Sequence, residues 1–340
     1  MHRLAMLVPL LAFSAVAHAD SAQPPPLPLP DGKPGIGFDD LRYDATLARL
    51  LIPAGRTGNV DLVDPANPIA IVAIAGFTKL PRYDAGHGQS VTSVDAGAGF
   101  LFATDRNALS LAVIDPKSRR IAARAALASA PDSVRFVAPT HEVWVTEPGK
   151  KRIEVFTLSS SATAPTPTHA AFIDAPGGPE SLVIDAARNR AYTHKWKTST
   201  MAIDLRTRAI VATWPAGCAD PRGIALDSAR ALHFIGCEDG TATALDVAHD
   251  GKLVGTIKSG SGVDIIAYDA GRAHLYVPGD ESATLAIIGV ASSGALSLLG
   301  TFPTAKDAHC VTTDERGNAY VCDPRNGQLL VVRDPYPPQK

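Results

Sequence analysis

The chain has 340 residues, with 32 Lys and Arg against 34 Asp and Glu, a formal net charge of -2 and a hydrophobic share of 46%. So even a balance argues against a basic nucleic-acid surface, which needs a marked Lys/Arg excess or a long positive stripe, while the apolar share is ample for a large core. Length by itself admits two ordinary domains or one large all-β domain.

The first predicted element is a leader. His2 and Arg3 precede an apolar run from Leu4 to Val16 and then Ala17-His18-Ala19, an A-x-A cleavage pattern. The run is too short to span a bilayer, and no later segment has the length of an apolar span. Residues 1–19 are therefore expected to be a cleaved signal peptide. Residues 20–340 become a soluble periplasmic or secreted product, in a compartment oxidising enough for disulfides.

After the leader the chain repeats, and periodicity over tens of residues marks solenoids or propellers. A large apolar residue opening a turn motif recurs as "LIPA" at Leu51, "FATD" at Phe102, "WVTE" at Trp144, "YTHK" at Tyr192, "FIGC" at Phe234, "YVPG" at Tyr276 and "YVCD" at Tyr320, seven copies spaced by 42 to 51 residues. A short run such as "SVTSVD" or "ESLVID" precedes each copy, and another such as "LAVID", ending at Asp115, follows it. A last run, such as "RIAARAAL" or "AIVATWPA", ends the repeat. Each run is β-branched or apolar and bounded by Gly, Asp, Asn or Pro, as strands are. None carries a sustained helical period.

Four strands in each of seven repeats predict one all-β domain, a seven-bladed β-propeller built from four-stranded antiparallel blades. The seventh repeat lacks its last strand because the chain stops at "RDPYPPQK", while "PPPLPLPDGKPG" is left over ahead of the first. Pro25 to Pro30 is therefore predicted to supply the outer strand of blade seven and close the ring. Proline is tolerated there because an outermost strand need not donate on both sides. Two insertions interrupt the pattern. "FTKLPRYDAGHGQ", after blade one, has charge, an aromatic ring and a histidine able to reach over a site; the low-complexity "SSSATAPTPT" of blade three reads as a plain loop.

The turn "WVTE", the runs continued as "VIDPKSRRI" and "AIDLRTRAI", and the entries "GPESLVID" and "DPRGIALD" to blades four and five resemble the YVTN-type, or YncE-like, propeller family of exported bacterial proteins. The resemblance spans about Pro25 to Asp334. It implies the propeller fold and export, and says little about function, because one fold hosts many. Nucleic-acid binding has been suggested within that family; the charge balance here argues against it.

In a propeller blade the innermost strand crosses the disc and the second returns, so loops entering strand one and leaving strand two share a face around the channel. Candidate ligand contacts on that face are Asp39, His87, Asp132, Glu180, Arg222, Asp264 and His309 on entry, and His194, Lys195 and Trp196 on exit. Positions that serve only packing should repeat from blade to blade. These differ in charge and size, as they would in a site shared between blades. The plainer reading is that isolated charges here are solvated loop residues and that Trp196 only packs its loop. Arg222, on a turn stiffened by Pro221, is a ready anion clamp.

His194 and His309, with neighbouring carboxylates, are weak candidates for an N/O divalent-metal site. No H-x-x-x-H or C-x-x-C spacing is present, so no metal ligand is assigned and no cofactor is predicted. The four cysteines are expected to form two disulfides. Pairing Asp314 with Asn318 across "DERGN" sets Cys310 opposite Cys322, at a separation a disulfide spans. Cys218 and Cys237 lie at one face of blade five, in the loop entering it and the turn leaving its second strand; the crossed pairing would have to reach across blade six.

Together these features lead us to expect a monomeric periplasmic or secreted binding or scaffold protein. It would engage a small acidic or zwitterionic ligand, or an extracytoplasmic partner protein, near Trp196, Arg222 and His309. The alternative is a metal-assisted lactonase, hydrolase or lyase with His309 as ligand or general base.

Overall fold

The computed structural model describes residues 23–159 and 165–339. The expected leader and part of the "SSSATAPTPT" insertion lie outside the described residues. Among those described there are seven four-stranded antiparallel sheets and no α-helix, only 3-10 turns at Pro148–Lys150 and Ala186–Arg188. Among the described residues no helix is long and apolar enough to cross a membrane.

In blade one the strands run outward from the axis as Arg42–Asp44, Arg49–Pro53, Asn59–Asp64 and Asn67–Ala75. Blades two to six repeat that order. Blade seven takes Val311–Thr313, Asn318–Asp323 and Gln328–Arg333 from the end of the chain and Pro26–Pro28 from its beginning, with Pro26 opposite Leu330 and Pro28 opposite Gln328. The ring is thus closed by an N-terminal outer strand, whose prolines face an edge that asks for no further donor.

Burial follows the position of each strand in its blade. The third strand lies between two neighbouring blades and is covered on both faces, as Ser110–Asp115 is up to its last residue. Strands buried on both faces read as continuous apolar runs rather than alternating ones. The outermost strand has the alternation instead, with Arg120–Ala126 alternately exposed and half-buried.

Most seams between blades are aliphatic and aromatic. Leu50 and Ile52 meet Ile36, Tyr320 and Leu329 where blade seven joins blade one, and Phe102 and Val113 meet Val134 and Val143 between blades two and three. The seam between blades four and five is poorer in aliphatic groups: Ala216, Ile235 and Leu245 pack with Cys237. The rings of Tyr192, Trp214, His194 and His233 fill the rest.

Both expected cysteine pairs stand at disulfide distance. Cys218 and Cys237 have Cα atoms 6.2 Å apart, and Cys310 and Cys322 5.4 Å apart. The second pair sits in the anticipated register: Val311 lies opposite Val321, and the Cys322 N–H donates to the Cys310 carbonyl. One bond lies at the seam poorest in aliphatic side chains, and the other at the seam where the ring closes.

Candidate functional site

The mouth of the channel is built from the starts of the inner strands and the turns that follow the second strands. Blade one contributes Asp39 and Asp40, whose fates differ. Asp40 receives both guanidinium nitrogens of Arg135, at 2.5 and 2.9 Å, and the Ser93 hydroxyl at 2.5 Å. Burial pushes its carboxyl up, but Arg135 outweighs that and holds it below the usual range. Asp40 is therefore a joint between blades one, two and three.

Asp39 has no such partner. It is 5% exposed, and its Oδ2 makes no hydrogen bond. The nearest positive group is the imidazole of His87, with Nδ1 3.5 Å from Oδ2. The other ring nitrogen of His87, Nε2, stands 4.0 Å from Asp264 of blade six. His87 sits between Gly86 and Gly88 in the insertion after blade one, which carries it over the mouth. The flanking segment is tied down by Gln89, which bonds to the Asp84 carboxylate and the Arg82 carbonyl, and by the Ser90 hydroxyl on the Thr78 carbonyl.

Asp132 of blade three and Glu180 of blade four complete the acidic side. Asp132 meets Arg106 at 3.4 Å. Glu180 has no ion pair or side-chain hydrogen bond among the described residues. A register shift between Glu180 and Val183 interrupts the inner ladder of blade four, and another between Pro221 and Gly223 leaves Arg222 outside the ladder of blade five. Bulges of this kind re-aim side chains near functional sites.

The electrostatics follow from this shortage of cations. Burial, and then the neighbouring charge of Asp132, push the Asp39 carboxyl up to about 7. Burial together with Asp132, Asp264 and Asp39 pushes Glu180 up to about 9. Asp132 is raised by burial against the pull of Arg106. The hydrogen-bonding geometry and charge of Asp39 push the His87 imidazole the same way, up to about 10. At neutral pH Glu180 therefore retains its proton in place of a missing positive partner, while Asp39 holds His87 as an imidazolium.

No family model and no curated protein matches the chain. Among solved structures it is similar to a chain of a mitotic checkpoint complex, with 15% identity over 98% of this chain and 99% of that one and a TM-score of 0.73. It is also similar to the β-propeller domain of Cps50 (Swd1) from Myceliophteria thermophila, with 11% identity, 88% and 98% coverage and a TM-score of 0.68. A chain of hydrazine synthase from Kuenenia stuttgartiensis gives 12% identity, 89% and 96% coverage and a TM-score of 0.68. The likeness is one of fold. The YVTN-type resemblance rests on the sequence motifs alone.

Within that fold, the candidate residues separate. Asp39, His87, Asp132, Glu180 and Asp264 act on one another electrostatically around the mouth. Lys195 and Trp196 are exposed at its rim, Trp196 at 44%. Arg222 lies 5.6 Å from the centre of the Trp196 ring and has its Nε 2.5 Å from Glu238, so a carboxylate stands beside its charge.

The two histidines proposed for metal are otherwise engaged. His194 is fully buried, with Nδ1 on the Thr200 hydroxyl and Nε2 on the Gly223 carbonyl, and burial pushes it down to about 4. It joins blades four and five below the mouth, because strand alternation puts it on the same face as Tyr192. His309 directs Nδ1 to the Asp307 carbonyl at 2.8 Å and Nε2 to the Phe38 carbonyl at 2.9 Å. Both ring nitrogens are thus aimed at backbone carbonyls rather than at the channel. Cys310 and Cys322 lie near His309 with metal-like spacing, but they are bonded to each other.

Sequence reasoning missed the residue just past the second strand in blades two, five and six. Arg106, Glu238 and Asp280 occupy that position in blades two, five and six, the same column as Trp196 in blade four. Reading the repeat one residue further would have found them. With His87, Asp264 and Arg222, Glu238 and Asp280 line a cavity of about 300 Å³. A second cavity, of about 720 Å³, opens at the other ends of the inner strands beside Tyr43, Tyr268 and Asp314.

Proposed function

We propose that the protein is an exported β-propeller whose channel mouth binds a small polar ligand or a charged group of a partner protein. The observation that carries this reading is the set of four acidic residues, Asp39, Asp132, Glu180 and Asp264, brought from blades one, three, four and six to one mouth with too few cations to match them. Burying carboxyl groups without partners destabilises a fold, and packing alone gives no reason to do so at a rim. Small-ligand pockets characteristically combine concavity with a few convergent polar groups whose pKa values are displaced. The two disulfides fit an oxidising compartment. The similar chain from a mitotic checkpoint complex is part of an assembly, which supports a partner protein as one source of the ligand group.

The test is a thermal-shift screen of charged small molecules against the wild type and an Asp39→Asn/Asp264→Asn double variant. A ligand of the mouth is expected to raise the Tm of the wild type and to leave the double variant unmoved. Shifts of equal size in both proteins would place binding elsewhere.

A further inference from the structure

The charge of the mouth points to the class of its ligand, and the inference rests on the reading of the mouth as a binding site. The cavity beside His87 has Asp264, Glu238 and Asp280 in its wall. Glu238 is matched by Arg222. Asp264 is 8% exposed and accepts no hydrogen bond among the described residues, having only His87 Nε2 at 4.0 Å. Asp280 Oδ1 is buried without a partner. Just behind the imidazole, Asp39 Oδ2 is also buried and unpartnered. Asp39 and Asp264 thus converge on one imidazole, which stands too far from either to make a short hydrogen bond, and Asp280 lines the same cavity.

The His87 ring makes no hydrogen bond among the described residues, and it lies between two glycines, Gly86 with a φ of +107° that favours glycine. The charged and titratable groups facing the ring are Asp39, Asp264, Asp132 and the ring of His309, 5.3 Å away, with Arg106 beside Gly88. Acids outnumber bases in that set.

We propose that the mouth takes an organic cation bearing ammonium or guanidinium groups, and that the His87 imidazole occupies the position of one such group until the ligand displaces it. The expected ligand is therefore opposite in sign to the one suggested by Arg222 in the sequence. A single bare metal ion fits less well. Calcium needs oxygens that close around it at about 2.3–2.6 Å, yet no three mouth carboxylates and imidazoles among the described residues bring donor atoms within 4.8 Å of one another. An extended amine reaches separated carboxylates one at a time through charge-assisted hydrogen bonds.

Isothermal titration calorimetry of the full chain with putrescine, agmatine, calcium chloride and citrate tests this. Putrescine or agmatine is expected to bind the wild type, more weakly as salt is added, and about tenfold more tightly to His87→Ala, from which the competing cation is gone. His87→Gln guards against a loop that is disturbed by Ala, and should shift affinity the same way. The Asp39→Asn/Asp264→Asn variant should lose binding by about tenfold or more. Amine binding should also tighten as pH rises from about 7 to about 9, where Asp39 and Glu180 release their protons.

Citrate binding that Arg222→Ala abolishes, with both amines inert, would keep the mouth as a site and overturn the cation. Calcium binding lost in the double Asn variant, with both amines inert, would do the same in favour of a metal. Weaker amine binding to both His87 variants would make His87 a contact rather than a placeholder and overturn that part of the inference. No probe binding more tightly than about 1 mM in a way that depends on the mouth residues would overturn both the inference and the reading beneath it.

Discussion

At the scale of the residue, Asp61 shows how burial alone sets a titration. Both of its carboxyl oxygens are buried without a hydrogen-bond partner. It lies opposite Ile52, on the face that packs against blade seven. Burial pushes it up to about 8, with the charge of Asp31 adding to the shift. In the unfolded chain the group ionises near the ordinary carboxyl value, so between that value and about 8 the folded state keeps a proton the unfolded state has lost. Its contribution is complete below this window and falls as pH rises through it, by about 1.4 kcal/mol per pH unit. Asp61→Asn keeps the shape of the neutral acid and cannot ionise. The variant should match the wild-type Tm at the acidic end of the window and exceed it at pH about 8; superimposed profiles of Tm against pH would refute this. The sequence shows Asp61 only as one of the two aspartates of "VDLVD", with nothing to set it apart from a surface residue. The blade seam that covers it comes from a partner more than two hundred residues away.

At the scale of the element, the strands were legible and the loops only partly so. Every blade could be read because short apolar runs recur with turn residues between them, and the pairing of Cys310 with Cys322 followed from hairpin register. The fate of His194 did not, since "HKWK" reads as one exposed turn. In fact the strand runs on through Lys195 and turns the imidazole inward. The insertion after blade one was recognisable by composition, but its placement of His87 between two acids depends on how far the segment reaches. The disulfides give a prediction at this scale. Cys218–Cys237 and Cys310–Cys322 close separations of 19 and 12 residues, for which the chain-entropy model gives about 3 kcal/mol each. Replacing Cys218 and Cys237 with Ala should lower the denaturant midpoint accordingly. It should also speed amide exchange in residues 215–222, next to the seam with few aliphatic groups. An unchanged midpoint would mean that the bond carries no stability.

At the scale of the molecule, the architecture was legible because it is written seven times, whereas the mouth is written once. Asp39, Asp132, Glu180 and Asp264 are each unremarkable in their own repeats. Their shared shortage of positive charge arises only when the ring closes. Closure has its own test: removing residues up to Pro30 strips Leu27 and Leu29 from the seam core and leaves Gln328–Arg333 as an open edge. Exposed edges invite pairing with other chains. The truncated protein should melt earlier and self-associate with rising concentration by light scattering, and a synthetic peptide of residues 24–30 should reverse both effects by adding back the strand. A truncated chain that stays monomeric and as stable as the parent would show that the strand is dispensable.

Sharing one sheet between the two ends of the chain also imposes an order in time. Blades one to six each draw their strands from one continuous stretch and can form as they are synthesised, but Pro26–Pro28 has nothing to pair with until Gln328–Arg333 has been made. The earliest-made strand is therefore the last to find its place, and the acidic mouth, ringed by every blade, acquires its final electrostatics only at that step.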